Sequence, residues 1–432
     1  MEEHRDALMN ENSAMFSLTT PLQTDEESVL DNTSKETAGT STFFKTCFNG
    51  INALSGVGIL SVPYALASGG WLTLILLFIV AAATFYTGLL IRRCMDVSSK
   101  IRTYPDIGEH AFGKKGKTIV SSFMYLELYV VATGFLILEG DNLSNLFRNM
   151  SFTLAGVTIS GQQGFVILVA LIIFPSMLLT DLSKISYVSA SGILASALII
   201  LSVFWVGVED TGFHAKGRFF HLNGVPTGVS LYTFGYCAHP VFPTLYTSMK
   251  DKRQFSKVLL LCFVLCTISY ATMAVLGYLM FGENIKSQVT LNLPTDKLSS
   301  KIAIYTTLVT PIAKYALMAT PIVNAIESSS GINHNNKSIS LLIRTIFLVS
   351  SVTVALAIPF FGYLMSLVGA FLSATASIII PCLCYLKIMG TYRRWGYELV
   401  TIIGIILMGI SVVVIGTYTS LEQISSEFNL SF

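Results

Sequence analysis

Repeated apolar stretches, each about 20 residues long and able to cross a bilayer, constrain this chain more than any other feature. Of its 432 residues, 53% are hydrophobic and 12% are charged, whereas soluble globular proteins carry roughly 25% charge. Lipid offers the backbone no hydrogen-bond partner, so segments that cross it form helices or closed barrels. The length and composition of these stretches predict an all-α polytopic membrane protein.

The predicted membrane domain covers residues 41–420 and contains eleven spans. They lie at residues 43–66, 71–93, 119–140, 163–181, 186–208, 226–248, 256–281, 302–326, 340–358, 361–386 and 399–419. The ninth and tenth spans are close together in sequence, but their combined length is too great for a single crossing. Residues 1–40 are polar and acidic, as in disordered tails, and residues 421–432 form a short C-terminal tail.

Lysine and arginine concentrate in the loops after the second, sixth and tenth spans, which all lie on one side of the membrane. Basic residues in short loops mark the cytosolic side. This distribution predicts a cytosolic N-terminus. The C-terminal tail is then non-cytosolic, because the number of spans is odd.

The first span has an interruption at membrane depth. Its middle contains Ser55, Gly56, Val57 and Gly58, and Pro63 follows. Glycine and proline both weaken a helix interior, and the freed backbone groups need partners in lipid. We predict that these groups bind a zwitterionic substrate, since half-helix ends attract a carboxylate or an ammonium group. The alternative is close helix packing through small residues.

The sixth span has a second interruption, five spans after the first. The residues predicted to complete a pocket there are Gly235, Tyr236, Cys237 and Ala238, followed by His239, Pro240 and Pro243. Interrupted segments at corresponding positions of two halves point to a transport site between inverted repeats. We therefore predict an inverted 5+5 repeat, with repeats at residues 43–208 and 226–386 and one extra helix.

Lys314 is a charged residue near the middle of the eighth span. Such a residue is costly in lipid and indicates function. Thr306, Thr310 and Lys314 are four residues apart and share one helix face. Three interpretations stay open: a cation site, a lysine that replaces a bound cation and couples to protons, or a structural lysine bonded to carbonyls of the broken helix.

Two other titratable side chains are candidates for coupling. His239 is a candidate proton carrier; the alternative is a histidine bonded to a backbone carbonyl freed by Pro240 or Pro243. Glu127 lies deep in the third span, where an acidic side chain marks a proton or ion path. Glu139 and Asp141 lie near the far boundary of that span, and we interpret them as interfacial.

The sequence indicates no enzyme, cofactor, metal site or nucleic-acid partner. Gly56 and Gly58 lack the strand and the third glycine of a dinucleotide-binding motif. No Walker motif, metal-ligand cluster or nucleophile elbow is present in the sequence. Transport by this chain would therefore use a gradient rather than ATP.

Three motifs resemble one family. They are Asn-Gly-Ile-Asn-Ala-Leu-Ser-Gly-Val-Gly-Ile-Leu-Ser-Val-Pro-Tyr-Ala-Leu at residues 49–66, Tyr-Pro-Asp-Ile-Gly-Glu-His-Ala-Phe-Gly at residues 104–113, and Thr-Pro-Ile-Ala-Lys-Tyr-Ala-Leu at residues 310–317. Together they resemble the amino acid/auxin permease family, and within it the plant vacuolar amino acid transporter (AVT1-like) branch. The resemblance covers most of the chain from about residue 40 onward.

The resemblance implies eleven helices, a leucine-transporter-like fold and proton-linked movement of amino acids. The expected partners are amino acids, protons and the lipid bilayer, and the expected state is a monomer. The vacuolar membrane is the expected location, with the plasma membrane as the alternative. Two other functions stay open: a membrane amino-acid sensor, and a carrier of auxin or another organic anion.

Overall fold

The computed structural model describes residues 39–148, 150–154, 157–178, 185–214, 217–329, 337–393 and 395–431. The predicted N-terminal tail lies almost wholly outside them. The helices of the first half are α1 (Phe43–Leu54), α2 (Gly58–Gly69), α3 (Thr73–Asp96), α4 (Tyr104–Leu146), α5 (Gly161–Leu178) and α6 (Ile185–Val206). A short antiparallel hairpin, β1 (Phe152–Leu154) and β2 (Val157–Ile159), joins α4 to α5.

The second half is also helical. Its helices are α7 (Val225–Gly235), α8 (Phe242–Ser248), α9 (Phe255–Phe281), α10 (Leu298–Ser329), α11 (Lys337–Ala357), α12 (Phe361–Leu367), α13 (Ile380–Met389), α14 (Tyr397–Ser411) and α15 (Thr417–Ser431). Two π-helical stretches, Val368–Ser373 and Thr375–Ile379, connect α12 to α13. Such widened turns are frequent at functional sites.

Eight spans in the described residues are helical, long and apolar enough to cross a membrane, or nine if the bent pair of α1 and α2 counts as one. Helices occur at all eleven predicted positions. However, the apolar part of α5 is short, and α7 and α8 are separated by a break. The α-helical membrane class is confirmed, whereas the number eleven stays a prediction.

The third predicted span begins much earlier than residue 119, because α4 starts at Tyr104 and is 43 residues long. Thr103 and Asp106 form a capping box, and Pro105 occupies the first turn; both features favour a helix start. A kink at Gly113, where φ is +69°, separates this first part from the long apolar part. Glycine adopts such an angle without a steric penalty.

The chain just before α1 is paired with the end of α8. The Ser41 amide donates to the Ser248 carbonyl at 2.8 Å, and the Lys250 amide donates to the Ser41 carbonyl at 3.0 Å. The start of the first span therefore lies beside the end of the sixth. The two spans run in opposite directions, as an inverted repeat requires.

Candidate functional site

The first predicted interruption is a real break in the helix. α1 ends at Leu54, α2 begins at Gly58, and the two helices are bent by 49°. Within the break the Ser55 amide donates to the Ile51 carbonyl at 2.6 Å. The Ser55 hydroxyl lies 2.8 Å from the hydroxyl of Ser196 on α6. By contrast, α2 continues through Pro63, so the break is made by the residues that precede Gly58.

The second predicted interruption is also a break. α7 ends at Gly235, the chain is non-helical over residues 236–238, and a single 3₁₀ turn, His239–Val241, leads into α8. The Tyr236 hydroxyl donates to Thr267 Oγ1 of α9 at 2.9 Å. The Tyr236 ring stacks on the Phe263 ring with a centroid distance of 6.0 Å. Tyr236 therefore packs against α9 and attaches the second break to that helix.

The two breaks lie against each other. A β-carbon placed on Gly58 would be 2.9 Å from the Cα of Gly235, so the backbones touch. The hydroxyl of Tyr270 on α9 lies 2.6 Å from the Leu54 carbonyl and 3.0 Å from the Gly235 carbonyl. One hydroxyl proton is thus shared between the last carbonyl of α1 and the last carbonyl of α7, and it joins the two half-helix ends.

Lys314 reaches the same place from α10. Its ammonium group donates to the Asn52 carbonyl at 3.1 Å and to the Ser55 carbonyl at 3.3 Å. Only 5% of the lysine is exposed, so these carbonyls replace water around its charge. They belong to the C-terminal end of α1, which carries partial negative charge. A cation would bind in the position that the ammonium group occupies.

A small pocket lies between the first break, α6 and α10. It is lined by Ser55, Gly56, Val57, Ile59, Leu60, Ser196, Ile199, Thr307, Thr310 and Pro311. A β-carbon on Gly56 would meet no atom within 4 Å, so the backbone is open on this side. The residues of the second break do not line this pocket.

The threonines of α10 are divided between two environments. Thr310 lines the pocket, and so does the buried Thr307. Thr306 does not line it. Both hydroxyls donate to carbonyls of their own helix, Thr306 to Ile302 and Thr307 to Ile304, each at 2.7 Å. The side of the helix that faces the pocket thus includes Thr307 rather than Thr306, one residue further round the helix.

Glu127 is buried at the second break. Its Oε1 accepts hydrogen bonds from the Cys237 thiol at 2.9 Å and from the Ser373 hydroxyl at 2.5 Å. The Ser377 hydroxyl donates to the Cys237 sulfur at 2.9 Å. The network connects α4 and the break to both π-helical stretches. Glu127 therefore lies close enough to the break to respond to changes in it.

His239 lies outside this arrangement. Its Nε2 is 2.9 Å from the Thr87 hydroxyl and 3.0 Å from the Thr84 carbonyl. The ring is fully buried against α3. It holds α8 to α3 through a carbonyl of α3 rather than one freed by Pro240 or Pro243. A role for His239 in proton transfer stays a prediction.

Comparison with known proteins identifies the family. The family described as "Transmembrane amino acid transporter protein" matches residues 39–422. The chain belongs to this family. Among its relatives, amino acid transporter AVT1J of Arabidopsis thaliana is 60% identical over 407 residues, which cover 94% of this chain and 96% of the relative. AVT1I of Arabidopsis thaliana is 56% identical and covers 90% of this chain and 97% of the relative.

Solved structures show the fold of this transporter. A manganese transporter of Eremococcus coleocola superposes with a TM-score of 0.54 at 12% identity, over 90% of this chain and 99% of that one. A Na⁺-coupled sialic acid symporter superposes with a TM-score of 0.50 at 11% identity, over 87% and 89%. The leucine-transporter-like fold and the family resemblance are confirmed. A family of transporters also agrees with the prediction that the chain is not an enzyme.

Two site residues of the transporter were not predicted, Tyr270 and Ser196. Both lie inside long apolar helices, where a single serine or tyrosine is common and gives no local signal. For Tyr270 a spacing signal does exist. Cys262, Cys266 and Tyr270 are four residues apart, and their side chains contact successive carbonyls along α1, at Cys47, Ile51 and Leu54.

Proposed function

We propose that this family member is a proton-coupled, secondary active transporter of amino acids. The observation that carries the proposal is the ammonium group of Lys314 on the Asn52 and Ser55 carbonyls, next to the first break. It places a group that can gain or lose a proton where the broken helix presents a cation-binding end. Proton binding and the shape of the break are then linked through the same two carbonyls.

The substrate would bind between the two breaks. Backbone groups of Ser55, Gly56, Val57 and Gly58 would form one side, and residues 235–238 would form the other. The N-terminus of α2 favours a carboxylate, and the C-terminal ends of α1 and α7 favour an ammonium group. A free amino acid carries an ammonium group and a carboxylate on one carbon, so it matches two opposed half-helix ends. The backbone contact between Gly58 and Gly235 would have to open to admit it.

Movement of the half-helix α1 would follow when Lys314 loses its proton. The charged ammonium group holds the last turn of α1 by two hydrogen bonds to backbone carbonyls, and a hydrogen bond with a charged donor is worth about 1.5–3 kcal/mol. A neutral amine would hold it more weakly and would free the half-helix to rock. Alternating exposure of the two breaks to each side would then carry the amino acid across. Glu127 is a second candidate for this coupling, through Cys237.

We place the transporter in the vacuolar membrane as a monomer with a cytosolic N-terminus. The distribution of basic loops supports the orientation, and the family resemblance supports the membrane. A fluorescent fusion imaged in plant cells tests the location. Accessibility of a tag at the N-terminus, in intact and in opened vacuoles, tests the orientation.

The decisive experiment is uptake of radiolabelled neutral amino acids into proteoliposomes that contain the purified chain, with and without a pH gradient. We expect a pH gradient to drive accumulation, and dissipation of the gradient to abolish it.

Binding of amino acids without movement under any gradient would contradict the proposal and favour a sensor. Competition by auxin but not by neutral amino acids would favour an organic-anion carrier. A pure transporter should keep its flux when residues 1–38 are deleted, since this deletion spares the pairing of Ser41 with α8.

A further inference from the structure

Glu139, two turns before the C-terminal end of α4, is a buried acid that the proposed mechanism does not use. Its exposed fraction is 0%, so it is enclosed by protein; its interpretation as an interfacial residue stays a prediction. Neither carboxyl oxygen has a hydrogen-bond partner among the described residues. α4 continues to Leu146, so Glu139 lies about 10 Å inside the end of the helix.

A network of hydrogen-bonded polar side chains lies just beyond this acid along α4. Gln288, which precedes the 3₁₀ turn Val289–Asn292, accepts from the Asn142 amide at 2.7 Å and donates to Asp141 at 3.0 Å. Gln162 of α5 donates to the other oxygen of Asp141 at 2.5 Å. The turn itself contacts α2, α4 and α10. We refer to Asp141, Asn142, Gln162 and Gln288 as the far-side cover.

Glu139 and Asn142 are three residues apart and share a face of α4, so the acid lies one turn beneath the cover. Two more buried oxygens, Asn142 Oδ1 of the cover and Thr290 Oγ1 of the turn, also have no hydrogen-bond partner among the described residues. The titratable side chains on the elements packed around this end of α4 are Asp141 on α4 itself, Lys286 before the turn, Tyr64 on α2, Tyr363 on α12 and Lys301 on α10. None of them bonds Glu139.

A carboxylate without a donor or a counter-ion is too costly to bury, whereas the neutral acid is not. We propose that Glu139 is a proton-binding residue that exchanges the transported proton with the far compartment. The proposal rests on the proposed function. With the cover closed, as here, the carboxylic acid keeps its proton. When the hydrogen bonds of Gln288 break and water enters, the acid O–H bond breaks and the proton passes to water of that compartment.

The closed cover and the buried acid give coupling a physical basis. The cover lifts only when the transporter opens to the far side, so Glu139 meets that solution in one conformation alone. Lys314, beside the first break, responds to changes in that break. A proton that binds at Glu139 therefore favours the closed cover, and its loss favours the open one.

The test compares wild type, Glu139→Gln and Glu283→Gln in proteoliposomes. The control replaces a surface glutamate that pairs with Arg218. Amino-acid-driven proton flux is followed with a trapped pH dye, and exchange of labelled for unlabelled neutral amino acid is followed at equal pH on both sides. We expect Glu139→Gln, which imitates the protonated acid, to retain exchange and lose proton flux. The accumulation ratio under a one-unit pH gradient should fall from about ten to about one.

Normal proton flux in Glu139→Gln would overturn the proposal, while proton coupling of the transporter would stand. If Glu139→Gln loses exchange as well, Glu139→Asp decides the matter. Restored proton flux in the aspartate variant supports a proton-binding acid, and no restoration assigns Glu139 to folding alone. Absence of proton flux in the wild type contradicts the proposed function itself, and this inference fails with it.

Discussion

Gly58 and Gly235 pack backbone against backbone at the point where two interrupted helices meet, and a β-carbon on Gly58 would lie 2.9 Å from the Cα of Gly235. The contact has no room for a side chain on Gly58, and the atom it would meet is backbone, which cannot rotate away. The relative position of the two breaks therefore depends on this pair of glycines.

We predict that Gly58→Ala separates the two breaks and lowers amino acid uptake at least about tenfold, since overpacking costs about 1–3 kcal/mol. Uptake into proteoliposomes, normalised to the amount of folded protein, measures the effect. Gly404→Ala is the control, because a β-carbon at Gly404 meets no atom within 4 Å. Wild-type uptake by Gly58→Ala would show that the breaks need not touch.

A side chain at Gly56 should abolish transport by filling the pocket, without disturbing the packing of the two breaks. The backbone is open there and faces the pocket, so Gly56→Leu should fold normally and fill the pocket with its own side chain. We expect expression and thermal stability close to wild type, with uptake abolished. Normal transport in this variant would remove the first break from the substrate site.

Tyr270→Phe removes one hydroxyl group and nothing else. The Gly235 carbonyl then loses the Tyr270 donor, whereas the Leu54 carbonyl still accepts from the Gly56 amide at 2.9 Å. A buried unsatisfied group costs about 1–3 kcal/mol. We expect KM for amino acids to rise about tenfold, with little change in the amount of folded protein. Tyr278→Phe is the matched control, since its hydroxyl donates at 3.3 Å to the Arg218 carbonyl, away from both breaks. Equal effects of the two substitutions would count against a positioning role for Tyr270.

Lys314 can be tested by charge and by titration separately. Lys314→Gln removes the charge, and Lys314→Arg keeps a charge that does not titrate near neutral pH. We expect both variants to lose accumulation driven by a pH gradient, because each abolishes the change between ammonium and amine. Lys301→Gln, near the start of the same helix, serves as the control. Full rescue by arginine would mean that Lys314 acts only as a fixed structural cation.

Both breaks could be predicted from the sequence, because glycine and proline in an apolar segment indicate where a helix is interrupted. The pairing of the breaks could also be predicted, from their equivalent positions in two repeats. The position of Lys314 was predicted as well, since a charged residue stands out in an apolar segment.

Other features depend on tertiary packing. Tyr270 is one of 18 tyrosines, and only the direction in which α9 lies along α1 brings its hydroxyl to two carbonyl groups. For the same reason the sequence could not show that Thr307, rather than Thr306, lines the pocket, since this depends on which face of α10 packs toward α6. The burial of Glu139 could not be predicted either, because hydropathy gives the end of an apolar stretch and not the elements that pack around it.

The backbone pairing of Ser41 with Ser248 and Lys250 has a mechanical consequence. It fastens the entry of α1 to the exit of α8, so these two half-helices share an anchor at one membrane face. A swing of α1 at that face must either carry α8 with it or break both hydrogen bonds. Loss of this pairing would leave each of the two half-helices free to move without the other.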